Sequence, residues 1–365
     1  LLEVGQDQAL VQKHFDFFRG MLEIYSPSEQ ERAVAEYLVQ QMREFGFREA
    51  YVDEAGNAVG EIGASEVEAE KTVVLLGHID TVEGFIPVRI AEDGDTIYGR
   101  GAADAKGPFG SFVLGAASLI GNDEVLAKKR IVVVGAVEEE AASSKGARYA
   151  QHLYKPDFCV IGEPSGWSHI TLGYKGRLLI DYTLTRDTKH TAADGPSVCE
   201  EAVDFWNRVK AYANQFNEGK KVFESLQPSL RHFNSEANGF QETARFRIGL
   251  RLPLNFPITE FKGLLEEWRG DATLALSGEE VAVRSEKNTP LVRAFLSAIR
   301  AEGGQPGFKV KTGTSDMNVL GPAWGCPIVA YGPGDSSLDH TPNEHASLAE
   351  FERGVQVISR MLREL

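Results

Sequence analysis

The chain is poor in cysteine. Its three, Cys159, Cys199 and Cys326, lie far apart and outside any CxxC or CxxH pair. That excludes a disulfide framework and a zinc finger. Each thiol reads as buried and reduced, and the compartment as the cytoplasm. No apolar run reaches the roughly 18 residues of a membrane span. The opening LLEVGQDQALVQKHF lacks the basic segment, apolar core and cleavage site of a signal peptide, and reads as the start of an amphipathic helix. Basic residues are scarce: 38 Lys and Arg stand against 53 Asp and Glu, a net charge of −15 over 365 residues. No basic stripe suggests a nucleic-acid partner. The acidity predicts weak repulsion of acidic macromolecules but leaves cations free to bind. Internal repeats and low-complexity stretches are absent. So is a GxxxxGK(S/T) phosphate loop, because GRGAADAKG (99–107) offers only a GxG.

What is present is an ordinary globular composition, 42% hydrophobic and 25% charged, in a chain long enough for two domains. Ser28-Glu29-Gln30-Glu31 has the pattern of a capping box opening a helix to about Phe45. Residues 51–61, broken by Gly56-Asn57, predict a hairpin. The apolar runs 72–76, 131–134 and 158–161 then alternate with helical stretches at 105–120 and 146–153. Such alternation predicts an α/β fold, a mostly parallel sheet flanked by helices. From Arg177 to Lys287 the pattern changes to strand, helix, strand, helix, strand, an α+β unit of its own. Residues 289–301 and 348–362 predict further helices and 327–331 a strand. The organisation expected is a domain of residues 1–176 and 288–365 interrupted by an inserted domain, 177–287.

Metal-capable side chains fall at particular places in this pattern. His78 and Asp80 follow the strand KTVVLLG, Glu138, Glu139 and Glu140 follow IVVVGAV, and Glu163 follows FCVIG. Ligands of open α/β sheets bind outside the carboxyl ends of the strands. Asp104, in the turn GRGAADAKG, and His340, in DHTPNEH, can reach the same edge. Each position alone has an ordinary explanation: a hydrogen-bonded histidine, a solvated acidic face, a helix cap at Asp104. Together they place metal-binding residue types at four strand ends. A His/Asp/Glu set without cysteine suits Zn²⁺, with Mn²⁺ or Co²⁺ as alternatives. A carboxylate-bridged metal pair is a known hydrolytic arrangement.

The ordered segments GHIDTV (77–82), GRGAADAKG (99–107), EEEAASSKGA (138–147), IGEPS (161–165) and DHTPNE (339–344) resemble the M20 metallopeptidases and aminoacylases over nearly the whole chain. The resemblance implies a zinc-peptidase type catalytic domain binding two divalent metal ions and an inserted α+β lid and dimerisation domain, hence a homodimer. It implies His78 and Glu163 on one metal, Glu140 and His340 on the other, Asp104 bridging, and Asp80 orienting His78. The family's base opens an Asp-Glu-Glu triplet's glutamate pair. Here the triplet is Glu-Glu-Glu, so Glu139 is the implied base, and a one-residue slip would make it Glu138 with Glu139 as ligand. In the lid, Lys189-His190-Thr191-Ala192 matches the motif whose histidine stabilises the oxyanion across subunits, without its glycine. Arg251 matches a substrate-carboxylate arginine, and Gly313-Thr314-Ser315-Asp316 the substrate loop, which otherwise reads as an ordinary turn.

EEEAASSKGAR, GEPSGW, TLGYKGR and GTSDMN resemble one subgroup most. Its members release lysine or ornithine from an acidic amino-group carrier protein, or deacetylate N-acetyl-lysine or N-acetyl-ornithine. The substrate implied is a small N-acyl amino acid or such a carrier, with no nucleic acid and no membrane. An acidic carrier needs a local basic patch on this acidic chain, for which Lys106, Lys145, Lys175, Arg177, Lys309 and Lys311 are candidates. Competing expectations are a dipeptidase or carboxypeptidase of the same family, a non-catalytic metal-stabilised binding protein, and a nucleotide-binding enzyme resting on GRGAADAKG.

Overall fold

The computed structural model describes residues 2–190 and 194–365, with side chains from residue 8 onward. The chain forms two compact units. One comprises Leu1–Gly173, Ser285–Val310 and Ser315–Leu365, the other Tyr174–Arg284 and Lys311–Thr314. None of the described helices is long and apolar enough to cross a membrane.

The first unit is built on a sheet whose strands lie in the order Glu49–Val52, Ala58–Gly63, Lys129–Ala136, Lys71–His78, Phe158–Gly162, Ile328–Tyr331 and His169–Tyr174. The middle four are parallel, and their buried runs of Val, Ile and Leu are what a sheet covered on both faces requires. The strands at either side pair antiparallel. The mostly parallel α/β sheet expected from the sequence is therefore present, with an antiparallel hairpin at 49–63 as its margin.

Register sets the functional edge. His78 pairs with Ala136, and Gly77 with Gly162, so residues just past 78, 136 and 162 emerge side by side. Glycine is needed at this crossing, since a Cβ on Gly162 would sit 3.0 Å from the Gly77 Cα. Helix Lys106–Ala117 is buried on nearly every side, and Phe109 and Phe112 are fully enclosed. It packs with helix Leu348–Glu364, whose Phe351 stacks on Phe18 at 4.4 Å between ring centroids. Each fully buried aromatic contributes about 1.5–3 kcal/mol.

The second unit is a four-stranded antiparallel sheet ordered Gln227–Ala237, Gln241–Leu252, Gly176–Asp187 and Thr273–Glu280. Helices Val198–Phe216 and Ile258–Trp268 contribute Phe205, Val209, Phe261 and Leu265 to its core, against Ile180, Tyr182, Phe246 and Ile248. Ser197 caps the first of these helices in a full capping box with Glu200.

The capping box expected at residues 28–31 does not form. Helix Arg32–Glu44 begins after Glu31 with no side-chain cap. Ser28 and Glu31 turn instead toward the neighbouring strand ends, where the Ser28 hydroxyl donates to the Asp80 carboxylate and Glu31 accepts the Glu138 N–H.

Candidate metal centre

His78 ends its strand with its ring almost wholly buried, and its Nε2 lies 3.2 Å from Asp104 Oδ1. The other oxygen of Asp104 faces His340 Nε2 at 3.1 Å. One carboxylate thus stands between two imidazoles. His340 Nε2 also lies 2.9 Å from Glu140 Oε1. His78, Asp104 and Glu140 form one group whose ligand atoms lie within 4.8 Å of one another, and His78, Glu139 and Glu163 form a second. These donors fit a divalent metal pair: borderline nitrogen and hard oxygen, no thiolate, and a carboxylate with an oxygen for each side.

Asp80 is fully buried. His78 Nδ1 lies 3.0 Å from the Asp80 carbonyl and 3.5 Å from its Oδ1. The carboxylate accepts the Glu139 N–H through Oδ1 at 3.1 Å, and the Glu140 N–H and the Ser28 hydroxyl through Oδ2 at 3.0 and 2.6 Å. Burial works against charge on Asp80, but the His78 imidazole and these donors hold its pKa below the usual range.

The neighbouring acids behave oppositely. Burial raises Glu139 well above the ordinary carboxyl range; the His78 charge opposes this, while Glu163, Asp316 and Glu140 reinforce it. Burial raises Glu140 also, against its hydrogen bond to His340. On His78, burial is outweighed by the hydrogen bonds to Asp104 and Asp80, and the pKa rises well above normal. The hydrogen bonds to Asp104 and Glu140 carry His340 up to about 10.

Glu138 faces elsewhere. Its carboxylate accepts the Ser143 hydroxyl at 2.7 Å and pairs with Lys145 at 3.3 Å. Glu138 itself has the left-handed φ of 58°, which diverts its side chain from those of Glu139 and Glu140.

Two carboxylates that the sequence reading missed support the site. Glu344 Oε1 accepts the N–H groups of Ala103 and Asp104, both at 3.0 Å, and Oε2 pairs with Arg100 at 2.9 Å. Glu31 Oε1 accepts the Glu138 N–H at 3.1 Å. The Glu in DHTPNE and the Ser28/Glu31 pair were visible as residues, but nothing in their spacing tells which distant amide they meet.

In the second unit, Arg251 donates to Thr314 Oγ1 at 2.9 Å. Gly313 lies in that unit beside Thr314, whereas Ser315 belongs to the first. There Ser315 is buried, and its Oγ accepts the Met317 N–H at 3.2 Å, the role of an ordinary turn residue. His190 is exposed, in a surface hollow with Arg186, Lys189, Ser197 and Glu242. Thr191 and Ala192 of its motif lie outside the described residues.

Most of the basic candidates are committed to internal contacts. Lys106 is buried, donates to the Met21 and Ile24 carbonyls, and is pushed down by burial to about 7. Lys175 is buried on Ser225 and Gln227 and falls to about 8. Arg177 donates to the Gly278 carbonyl, Lys309 to the Ser165 carbonyl, and Lys145 pairs with Glu138. Lys311 lies over the Tyr174 ring.

The model of the family described as "Peptidase family M20/M25/M40" matches residues 74–364. A protein of Deinococcus radiodurans named "[LysW]-lysine hydrolase" is 46% identical over 96% of each chain. One of Saccharolobus islandicus named "[LysW]-lysine/[LysW]-ornithine hydrolase" is 26% identical over 99% of this chain and 98% of its own. Among solved structures, an M20 family metallo-carboxypeptidase of Sulfolobus solfataricus matches with a TM-score of 0.77 at 20% identity, over 96% of this chain and 98% of that one. At that identity the last likeness concerns the fold.

Proposed function

The chain belongs to peptidase family M20/M25/M40, a family of metallohydrolases, and on that premise we propose that it releases lysine, or ornithine, from an amide linkage to an amino-group carrier protein. The observation that carries the chemistry is the Asp104 carboxylate standing between His78 and His340, with Glu139 beside His78 and Glu163. The substrate class is supported by the relative at 46% identity, whose name specifies LysW-linked lysine.

In this reading His78 and Glu163 would hold one divalent ion and Glu140 and His340 the other, with Asp104 shared between them. Zn²⁺ suits the donors, and Co²⁺ can replace it. Such a pair, when bound, polarises the scissile carbonyl and acidifies water. Glu139 accepts the proton of the attacking water and returns it to the leaving amine. Burial and the neighbouring carboxylates make a proton on Glu139 favourable, which suits a group that must take one up and then release it. Glu138, turned toward Ser143 and Lys145, is poorly placed for that work. Asp80 keeps the His78 ring oriented, as carboxylates behind metal-binding histidines do. Arg251, Gly313, Thr314 and Ser315 are assigned to the substrate. His190 is assigned to the oxyanion across a homodimer formed through the lid unit. A cytoplasmic site of action accords with the reduced cysteines.

The test is a panel: carrier-linked lysine, N-acetyl-lysine, N-acetyl-ornithine, N-succinyl-diaminopimelate and simple dipeptides, compared by kcat/KM. A clear preference for the carrier conjugate supports the proposal. A preference for dipeptides would replace it with a peptidase of the same machinery.

A further inference from the structure

Four consecutive backbone N–H groups, from Val137 to Glu140, are each taken up by a buried side-chain oxygen. Asn57 Oδ1 accepts from Val137 at 3.1 Å, Glu31 Oε1 from Glu138 at 3.1 Å, and the two Asp80 oxygens from Glu139 and Glu140. None of these bonds belongs to a helix or a sheet ladder. The turn carrying the two metal-side glutamates is held by side chains from three other segments.

The Glu31 contact differs from the rest. Its Oε1 accepts not only from Glu138 but also from Glu29 at 3.0 Å. Both residues have left-handed backbone, φ 58° at Glu138 and 72° at Glu29. A non-glycine residue keeps that unfavourable conformation only when its surroundings demand it. One buried carboxylate oxygen therefore ties together the two left-handed glutamates, each in its own loop. Ser28 completes the tie. Its hydroxyl donates to Asp80 Oδ2 at 2.6 Å, and its segment runs alongside the Asp80 strand end through the Thr81 N–H to Ser26 carbonyl and Ser28 N–H to Thr81 carbonyl bonds, at 2.9 and 3.3 Å.

We infer that Glu31 and Ser28 are positioning residues for the hydrolysis, holding the turn so that Glu139 and Glu140 face the metal ligands while Glu138 faces away. The inference rests on the functional reading above. Glu31 touches no reacting atom; it acts through the backbone of Glu138. If Glu138 relaxes to an ordinary right-handed or extended φ, the following two side chains rotate away from His78 and His340. Three glutamates in a row make this control necessary, because a slipped turn offers the site a chemically identical carboxylate in the wrong place.

The experiment compares Glu31→Ala, Glu31→Gln and Ser28→Ala in the full-length, metal-loaded protein, reading kcat, KM, metal content and the visible spectrum of the cobalt form. Glu31→Ala is expected to lower kcat by about 10–100-fold, as loss of groups behind metal ligands does, with KM little changed and the melting temperature lowered by the two stranded amides. The cobalt bands should shift as Glu140 moves. Glu31→Gln keeps a carbonyl oxygen for both N–H groups and should restore most of kcat and the wild-type spectrum. If Glu31→Ala does not fold, Ser28→Ala carries the test, with a smaller fall in kcat and the same direction of spectral shift. The spectrum does not depend on the substrate, so an error in the proposed substrate leaves it readable. A folded Glu31→Ala or Ser28→Ala variant with wild-type spectrum and wild-type kcat overturns the inference.

Discussion

Glu344 accepts the backbone N–H of Asp104 at 3.0 Å. The same oxygen takes the Ala103 N–H, and the other oxygen pairs with the buried Arg100. Since His340 lies four residues earlier, Glu344 joins the loop of His340 to the loop of Asp104, the two residues proposed as ligand and bridge. Removing it strands two amides and a cation. Glu344→Ala should cost up to about 3–5 kcal/mol, the usual cost of breaking a buried pair. Metal affinity should fall about 10–100-fold. Thermal melting and chelator titration measure the two effects; an unchanged midpoint in both contradicts the role.

Metal binding should release protons. In the metal-free protein His340 is raised to about 10 and His78 well above normal, so both imidazoles carry protons at neutral pH that a metal must displace. Glu139 and Glu140 are raised as well and add to the release. Affinity is therefore expected to rise with pH across neutrality and on toward the pH near 10 at which His340 loses its proton. Calorimetry of Zn²⁺ binding in buffers of different ionisation enthalpy counts the protons. A count near zero at pH 7 contradicts the protonated site.

Arg251 and Thr314 should govern binding more than turnover. Their contact at 2.9 Å holds the guanidinium that the proposed function assigns to a substrate carboxylate. Arg251→Ala should raise KM with kcat nearly unchanged, the signature of an interaction equal in ground and transition states. The loss should be about 2–5 kcal/mol, as for a buried charge pair with a ligand. Thr314→Ala should do the same more weakly. A fall in kcat at constant KM would place Arg251 in the chemistry instead.

Glu139→Gln separates the base from the ligands. It should reduce kcat by about 100- to 10,000-fold, the range of general base catalysis, while bound metal stays at the wild-type ratio. Glu138→Gln should leave kcat close to wild type, because Glu138 faces Ser143 and Lys145. The reverse pattern would shift the triplet by one residue.

The sheet was readable in the sequence because its central strands are buried on both faces and so appear as unbroken runs such as TVVLL and IVVV. His78, the glutamates 138–140 and Glu163 stand out for the same reason, following directly on such runs, whereas Asp104 and His340 lie in loops that no run marks. Strand Gln227–Ala237 was missed because most of its side chains are exposed, so neither alternation nor an apolar run marks it. Helix Met317–Trp324 was hidden by Gly321 and Pro322 within it. Ser28 and Glu31 were misassigned to a helix cap because a capping pattern is local, whereas their partners, Asp80 and Glu138, lie 52 and 107 residues away. Long-range hydrogen bonds from side chains to backbone leave no periodic trace. The supporting groups behind a site are thus the part least visible before folding.

The most direct measurement is release of free lysine from a lysine-carrier conjugate by the purified protein, before and after exhaustive chelation, then with Zn²⁺ or Co²⁺ restored. Metal-dependent hydrolysis is expected, with activity that disappears with the metal and returns with it. Lysine release that persists after verified metal removal would contradict it.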